Sequence, residues 1–448
     1  MKRFHLSCVD RLTRFLVGGV LLMNTATAAG QTVTQELQAD PNRAAGAFYA
    51  LSYDKMPEDT PAPNGKKPFY INHYGCSGSY YRELKNVYEQ PSIVFAKADS
   101  LGKLTTLGKD VKKRLDLLRQ DAKNRTGELT SKGAHQSHEL IRQLMQRFPE
   151  VFTPKGYYST HSVVQNNCIL TAEEAMLQLS SMLQSNNIHV TASHRYDGFM
   201  NPQDKKLASL CWDSLTQARY DRFQELNSGN SRLMESLFTD QNFLIDAVDP
   251  ESLSRQLIVL AGSIQHTELS GRVTLYDLFT PNEIKNHWKK LNAKNYIQNG
   301  ACSLNGGGQP YIQRSILRNM IHMGDSVLKR QDPIMHLRFT NEDVVMALAC
   351  LMELDNYGLQ TDNLDALGDL GWVNYRIAPL GGNIIMVHYR SNPDDPDVLV
   401  KVLLNGRETH LPIKTDCAPY YHWNDVKNFY LRKLYRYENV RLNEEVIQ

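Results

Sequence analysis

The densest group of chemically capable side chains runs from Tyr70 to Arg82 and reads Tyr-Ile-Asn-His-Tyr-Gly-Cys-Ser-Gly-Ser-Tyr-Tyr-Arg. It offers an alcohol at Ser77, a thiol at Cys76, an imidazole at His73 and a guanidinium at Arg82. A serine with a histidine four residues before it suggests a base-activated alcohol, but no acid is placed to orient His73. Cys76 and Arg82 satisfy a bare Cys-x5-Arg spacing, in which loop amides and the arginine hold an anion for thiolate attack. The fuller form of that pattern has His before the cysteine and Gly three residues after it. Here Gly75 and Ser79 occupy those places, so the match is one of spacing alone. A second polar set, Asn341-Glu342-Asp343, could supply an acid. Asn is also a favoured N-cap, and acidic residues in a first helical turn complement the macrodipole, which explains the triplet without catalysis.

Both sets must be carried by regular elements. Phe69 to Ile71 is an apolar strand that runs into the small-residue loop at Gly75 to Ser79, and Met335 to Phe339 is a second short strand just before Asn341. Strand ends of an α/β sheet deliver side chains into the crevice beyond it, where ligand sites form. Further strands are expected at Gly156 to Val164, Asn383 to Arg390 and Val398 to Leu404. The last is continuous but for Lys401, as suits a strand buried on both faces. Leu101, Leu104, Leu107, Val111, Leu115 and Leu118 recur at helical spacing, and Leu140, Ile141, Leu144 and Met145 mark a helix over 137–148. Thr171 to Glu174 reads as a capping box opening a helix at Ala172. From about Tyr196 to Tyr311 the periodicity is helical and strand signals nearly vanish, with Asn305-Gly306-Gly307-Gly308 closing the stretch as a linker.

The loop and its landmarks resemble the histidine acid phosphatases, specifically the bacterial multiple inositol polyphosphate phosphatases. Where that family has Arg-His-Gly-x-Arg, Cys76 stands for the first Arg, Ser77 for the nucleophilic His and Tyr80 for the second Arg. Leu337-Arg338-Phe339 resembles the Leu-Arg-Phe that precedes the family's Gly-His-Ala-Glu or Gly-His-Asp. Asn341 then takes the place of the second histidine, while Asp343 keeps a carboxylate at the proton-donor position. Cys168-Ile169-Leu170 resembles a family Arg-Cys-Ile-Leu with Asn167 replacing the arginine, and His161, six residues earlier, stands for another pocket arginine. Leu403-Leu404-Asn405 and Pro419 to Trp423 resemble the same branch. The resemblance implies an α/β fold, with a mixed central sheet flanked by helices and an inserted all-α domain. The shift to helical periodicity along the chain places the body at 29–195 and 312–448 and the insert at 196–311.

The resemblance also implies metal-free phosphoryl transfer without a cofactor. That chemistry needs a nucleophile, cationic donors for the equatorial oxygens and an acid for the leaving group. An arginine about 4 Å from a phosphate supplies up to roughly 4 kcal/mol at an effective dielectric near 20, and about 1.36 kcal/mol on a barrier is tenfold in rate. With four arginine and two histidine positions replaced, the expectation is a catalytically inactive pseudophosphatase with a binding or accessory role. Its expected ligand is a small molecule such as a sugar or an inositol-phosphate-like compound. The alternative is an active phosphomonoesterase on inositol phosphates (phytate).

Composition sets the remaining bounds. The chain has 448 residues, 42% hydrophobic and 22% charged, with a formal net charge of +2, so no global field favours nucleic acid. Lys2, Arg3, Arg11 and Arg14, an apolar run from Phe15 to Met23 and Ala26-Thr27-Ala28 read as a signal peptide over residues 1–28. Export to the periplasm or medium is therefore expected. That apolar run is too short to span a bilayer, and no later stretch is apolar enough. Six cysteines follow the signal, an even number that permits disulfides, and none shows CxxC or Cys/His metal spacing, so no metal site is expected.

Overall fold

The computed structural model describes residues 32–447 except 55, 84, 229–231, 241–242 and 244–248. The expected signal segment lies outside the described residues. Eight strands form one mixed sheet: β1 (Lys67–Cys76), β2 (Tyr157–Ser162), β3 (Ile188–Ala192), β4 (Ile334–Thr340), β5 (Asn383–Arg390), β6 (Leu399–Leu404), β7 (Arg407–Glu408) and β8 (Tyr420–His422). Their order is β3-β2-β4-β1-β5-β6-β7, with β8 also paired to β6. β3, β2, β4 and β1 run parallel, and β5 reverses the direction beside β1.

Burial follows from this order. β1 and β4 lie in the middle of the sheet, and nine of the ten β1 residues and all seven of β4 are buried, the polar Asn72, His73, His336 and Arg338 among them, as in strands covered on both faces. Lys401, the one break in β6, is 1% exposed and forms ion pairs with Asp59 and Glu408, each at 2.9 Å. That double pairing is what lets an ammonium sit inside the sheet. The principal core gathers Ile71, Tyr74, Leu140, Leu179, Leu337, Val345 and Trp423 around this sheet.

A second apolar core lies in the helical layer. It joins Phe95, Val111, Leu115 and Leu118 to Leu237, Leu253, Leu257, Leu260 and Ile264. The leucine series read as one helix resolves into two elements. Val111, Leu115 and Leu118 lie on the helix Thr106–Asp121, whose N-cap Thr105 accepts from Gly108 N. Leu101 and Leu104 precede that cap, and a separate helix, Lys85–Ser100, comes before them. The helix expected over 137–148 begins earlier, at Ser131. The stretch 305–308 is anchored rather than a free linker: Asn305 Nδ2 donates to Ile297 O at 2.8 Å and Gly307 N to Cys302 O at 2.8 Å.

The capping-box reading of Thr171 is overturned. The helix runs Asn166–Met182 and Thr171 lies inside it, donating from Oγ1 to Asn167 O at 2.6 Å. The polar stretch before β1 is also structured. It holds a helix at Val33–Ala39 and a 3-10 segment at Pro41–Phe48 that packs against the site. All six described cysteines are free thiols. No described helix is long and apolar enough to cross a membrane.

Candidate functional site

β1 ends at Cys76, and the chain then turns through Ser77 to Arg82. Several polar groups of this loop are engaged by protein. Gly78 N donates to Thr171 Oγ1 at 3.0 Å, and Ser79 N donates to Gln136 Oε1 at 2.8 Å. Ser79 O accepts from Thr130 N at 2.9 Å, and Ser77 O accepts from Gly381 N at 2.8 Å. The loop is pressed onto the helix Ser131–Arg147, where a Cβ added at Gly133 would stand 2.2 Å from Ser79 O. Two glycines, Gly78 and Gly133, make this approach possible.

Ser77 is fully buried and its Oγ accepts from Asn167 Nδ2 at 2.9 Å. Cys168 Sγ contacts Asn341 Oδ1 at 4.0 Å. Burial, with the nearby carboxylates of Glu342 and Asp343, pushes the Cys76 thiol well above its ordinary range. That burial works against a thiolate nucleophile there. Thus Cys76, Ser77, Asn167, Cys168 and Asn341 form one cluster.

His161 stands apart from that cluster. It is half-buried on β2, edge-on to Tyr196 at 4.7 Å, with its register partner Arg338 alongside on β4. Burial, then the charges of Arg338 and Arg195, push its pKa down to about 4, so it is neutral. His73 is likewise no base for Ser77. It is fully buried under Phe339, accepts weakly from Arg338 N at 3.5 Å, and is held near pKa 3 by burial and by Arg338.

Asn341 is the N-cap residue of the helix Glu342–Leu351 by backbone geometry, but its side chain makes no capping bond. Burial and the neighbouring Asp343 raise Glu342 to about 7. Asp343 reaches solvent at the cleft rim and accepts from Asn299 Nδ2 at 3.0 Å; loss of water around it still raises its pKa. Tyr80 packs edge-on to Phe48 at 5.3 Å, and burial raises its phenol.

Two features of the site escape the sequence. Arg82 stacks its guanidinium 3.6 Å from the Phe48 ring centre and donates from Nε to Ser263 Oγ at 2.8 Å. It is the cation that faces Glu342 and Tyr80, and the burial that holds it there lowers its pKa. His266 Nε2 lies 2.8 Å from Phe48 O, so it donates there and leaves Nδ1 to accept from Ser79 Oγ at 2.9 Å. Ser79 and His266 have the arrangement of an activated alcohol, yet both are buried and reach no substrate. Their partners lie more than 180 residues away in the chain, so no spacing signals them.

Beyond Arg82, a cavity of about 760 Å³ opens between the helices Ser214–Leu226, Pro250–Ile264 and Pro281–Asn299. Arg255, His287, Lys290 and Lys294 line it together with Trp212 and Tyr220. No ion pair holds Arg255, Lys290 or Lys294 among the described residues. None of the lining residues belongs to the Cys76–Arg82 loop, but the charge of Lys294 lowers the pKa of Asp343 and that of Arg82 lowers the pKa of His287.

The fold, a mixed sheet flanked by helices, is shared with solved structures. The apo multiple inositol polyphosphate phosphatase of Bifidobacterium longum matches with a TM-score of 0.70 at 14% identity, over 86% of this chain and 97% of that one. The same enzyme in complex with inositol hexasulfate matches at 0.69 and 14% identity, with the same coverage. The chain has the fold of the histidine acid phosphatases. The phytase of D. castellii shares it as well, at a TM-score of 0.65 and 14% identity, over 88% of this chain and 85% of that one. No protein-family model matches the sequence, and neither does any curated protein.

Proposed function

We propose that this chain is an exported pseudophosphatase, a histidine-acid-phosphatase fold that binds a small polar ligand without turning it over. The observation that carries the reading is the state of the loop. Ser77, at the position of the family nucleophile, is buried against Asn167, and the amides of Gly78 and Ser79 are taken by Thr171 and Gln136. Phosphoryl transfer needs a nucleophile free to attack in line and donors aimed at open space. In this reading Cys76, Tyr80, His161, Asn167 and Asn341 fill positions of lost imidazoles and guanidiniums, and Asp343 is a remnant acid.

Residues 29–195 and 312–448 form the α/β body and 196–311 the helical insert, with the helices Lys85–Ser100 and Thr106–Asp121 sharing the insert's apolar core. The cavity lined by Arg255, Lys290 and Lys294 together with Glu251 and Glu283 offers room for a sugar or an inositol-phosphate-like ligand. Residues 1–28 are the cleaved export signal.

The competing reading, a working phosphatase on inositol phosphates, draws on the fold relatives, one of which is in complex with inositol hexasulfate. Phosphate release from inositol hexakisphosphate and from an aryl phosphate separates the two. Stabilisation by inositol phosphates or sugars in a thermal-shift assay, without release, supports the binder. Steady release sinks it.

A further inference from the structure

At the far side of the sheet, the loop entering β8 and the β5–β6 connection bring together four groups that play no part in the site above. Asp416 Oδ1 lies 3.0 Å from His422 Nε2. A single position reaches Asp416, Cys417 and His422, whose ligating atoms all lie within 4.8 Å of one another. On the other side of the ring, His422 Nδ1 lies 2.6 Å from Asp397 Oδ1. We propose that Asp416, Cys417 and His422 bind a zinc ion, with Asp397 as the carboxylate that orients the histidine.

The donor chemistry selects the ion. One sulfur, one imidazole nitrogen and one carboxylate oxygen form a mixed set of the kind zinc prefers, whereas magnesium and calcium take oxygen donors. Donors about 2.0–2.3 Å from a tetrahedral ion stand a little over 3 Å apart, so the Asp416–His422 separation of 3.0 Å needs only small adjustment. Three protein donors leave the fourth position to water. Asp397 completes the pattern by accepting from Nδ1–H, which fixes the tautomer with Nε2 turned to the metal.

The backbone holds the donors in place. β8 pairs with β6 so that His422 stands opposite Leu399, two residues from Asp397. Tyr420 N donates to Cys417 O at 2.9 Å, and Thr415 Oγ1 donates to Tyr420 O at 2.8 Å. These bonds fold the Asp416–Pro419 turn back over the strand end. Cys417 Sγ is partly accessible, packs against the principal core on one side, and lies 3.4 Å from both Thr415 Oγ1 and Tyr420 O. No sequence pattern announces this set, because cysteine and histidine are five residues apart and the orienting carboxylate comes from another loop.

The test uses the untagged full chain, stripped with a chelator and titrated with cobalt(II) as a spectroscopic stand-in for zinc. One equivalent should give visible bands of four-coordinate cobalt and a near-ultraviolet thiolate-to-cobalt band, and zinc should displace both. Cys417→Ser should lose the thiolate band while melting normally in chelator. Asp416→Asn, at an exposed position, should weaken zinc binding, and Asp397→Asn should weaken it by about 10- to 100-fold. A titration with no thiolate band, or a band that survives Cys417→Ser, overturns the proposal and leaves an Asp–His–Asp charge cluster.

Discussion

Asn167 Nδ2 donates to Ser77 Oγ at 2.9 Å, with both side chains buried. This short polar contact closes the space at the end of β1. An arginine and a histidine facing each other across that gap would repel when both were charged and would need an anion between them. An amide and a hydroxyl need none. The bond satisfies the Ser77 hydroxyl, while Asn167 Oδ1 is buried with no hydrogen-bond partner among the described residues.

Phosphate release by the mature chain from inositol hexakisphosphate should equal a buffer blank, and Ser77→Ala should leave that value unchanged. Ser77→His alone should not create activity, since Cys76, Tyr80 and Asn167 still supply no guanidinium. Each absent arginine is worth up to about 4 kcal/mol at an effective dielectric near 20, or roughly a thousandfold in rate. Turnover that Ser77→Ala abolishes would refute the pseudophosphatase reading.

Gly133→Ala should destabilise the fold by about 1–3 kcal/mol, the usual cost of overpacking a tight contact. The new Cβ would stand 2.2 Å from Ser79 O, which already accepts from Thr130 N and Thr130 Oγ1. Gly198→Ala is the matched control, since nothing lies within 4 Å of its added Cβ. Urea denaturation of the two variants beside the parent checks the difference, and equal midpoints would mean that the loop is not pinned to the helix.

The framework of the site is legible in the sequence where the signal is local and strong. β1, β4 and β6 follow from apolar runs at the centre of a sheet, and Val111, Leu115 and Leu118 lie on the buried helical face that their spacing indicates. Local signals mislead where distant partners decide. Thr171 looks like a cap, but the helix starts at Asn166 and the hydroxyl is spent inside it, receiving Gly78 N. β3 escapes notice because it is an edge strand of only five residues with mostly exposed side chains, too short a run for its alternation to stand out. Gln136, His266 and Phe48 complete the loop from three separate segments, so no motif could name them. Arg82 is visible only as part of a spacing match; its role as the cleft cation depends on Phe48 and Ser263.

Glu342 should make folding pH-dependent in a direction unusual for a carboxylate. Burial and Asp343 raise it from 4.5 to about 7, against a smaller opposing pull from Arg82. Between those pH values the folded chain keeps a proton that the unfolded chain has released. The stabilisation is therefore fully present below about pH 4.5 and is lost as pH rises through about 7. Glu342→Gln should remove this contribution, so that the stability difference between parent and variant shifts in the variant's favour across that window. Parallel difference curves at pH 5 and pH 8 would show that the carboxyl titrates normally.

His388 has the opposite sign. It is fully buried, and neither ring nitrogen has a hydrogen-bond partner among the described residues. Trp423 lies 4.6 Å and Tyr70 5.1 Å from its ring centre. Burial pushes its pKa from 6.5 down to about 3, with Asp325 pulling less strongly the other way. Below pH 6.5 the unfolded chain binds a proton that the folded chain refuses, so stability is lost as pH falls toward 3. At about 1.36 kcal/mol per pH unit, acidification from pH 6.5 to 5 should cost about 2 kcal/mol through this residue. His388→Phe keeps an aromatic ring in the slot and has nothing to protonate. Urea midpoints should fall less for the variant than for the parent between pH 7 and pH 5. An equal fall in both would mean that His388 gains a partner, or water, when it is charged.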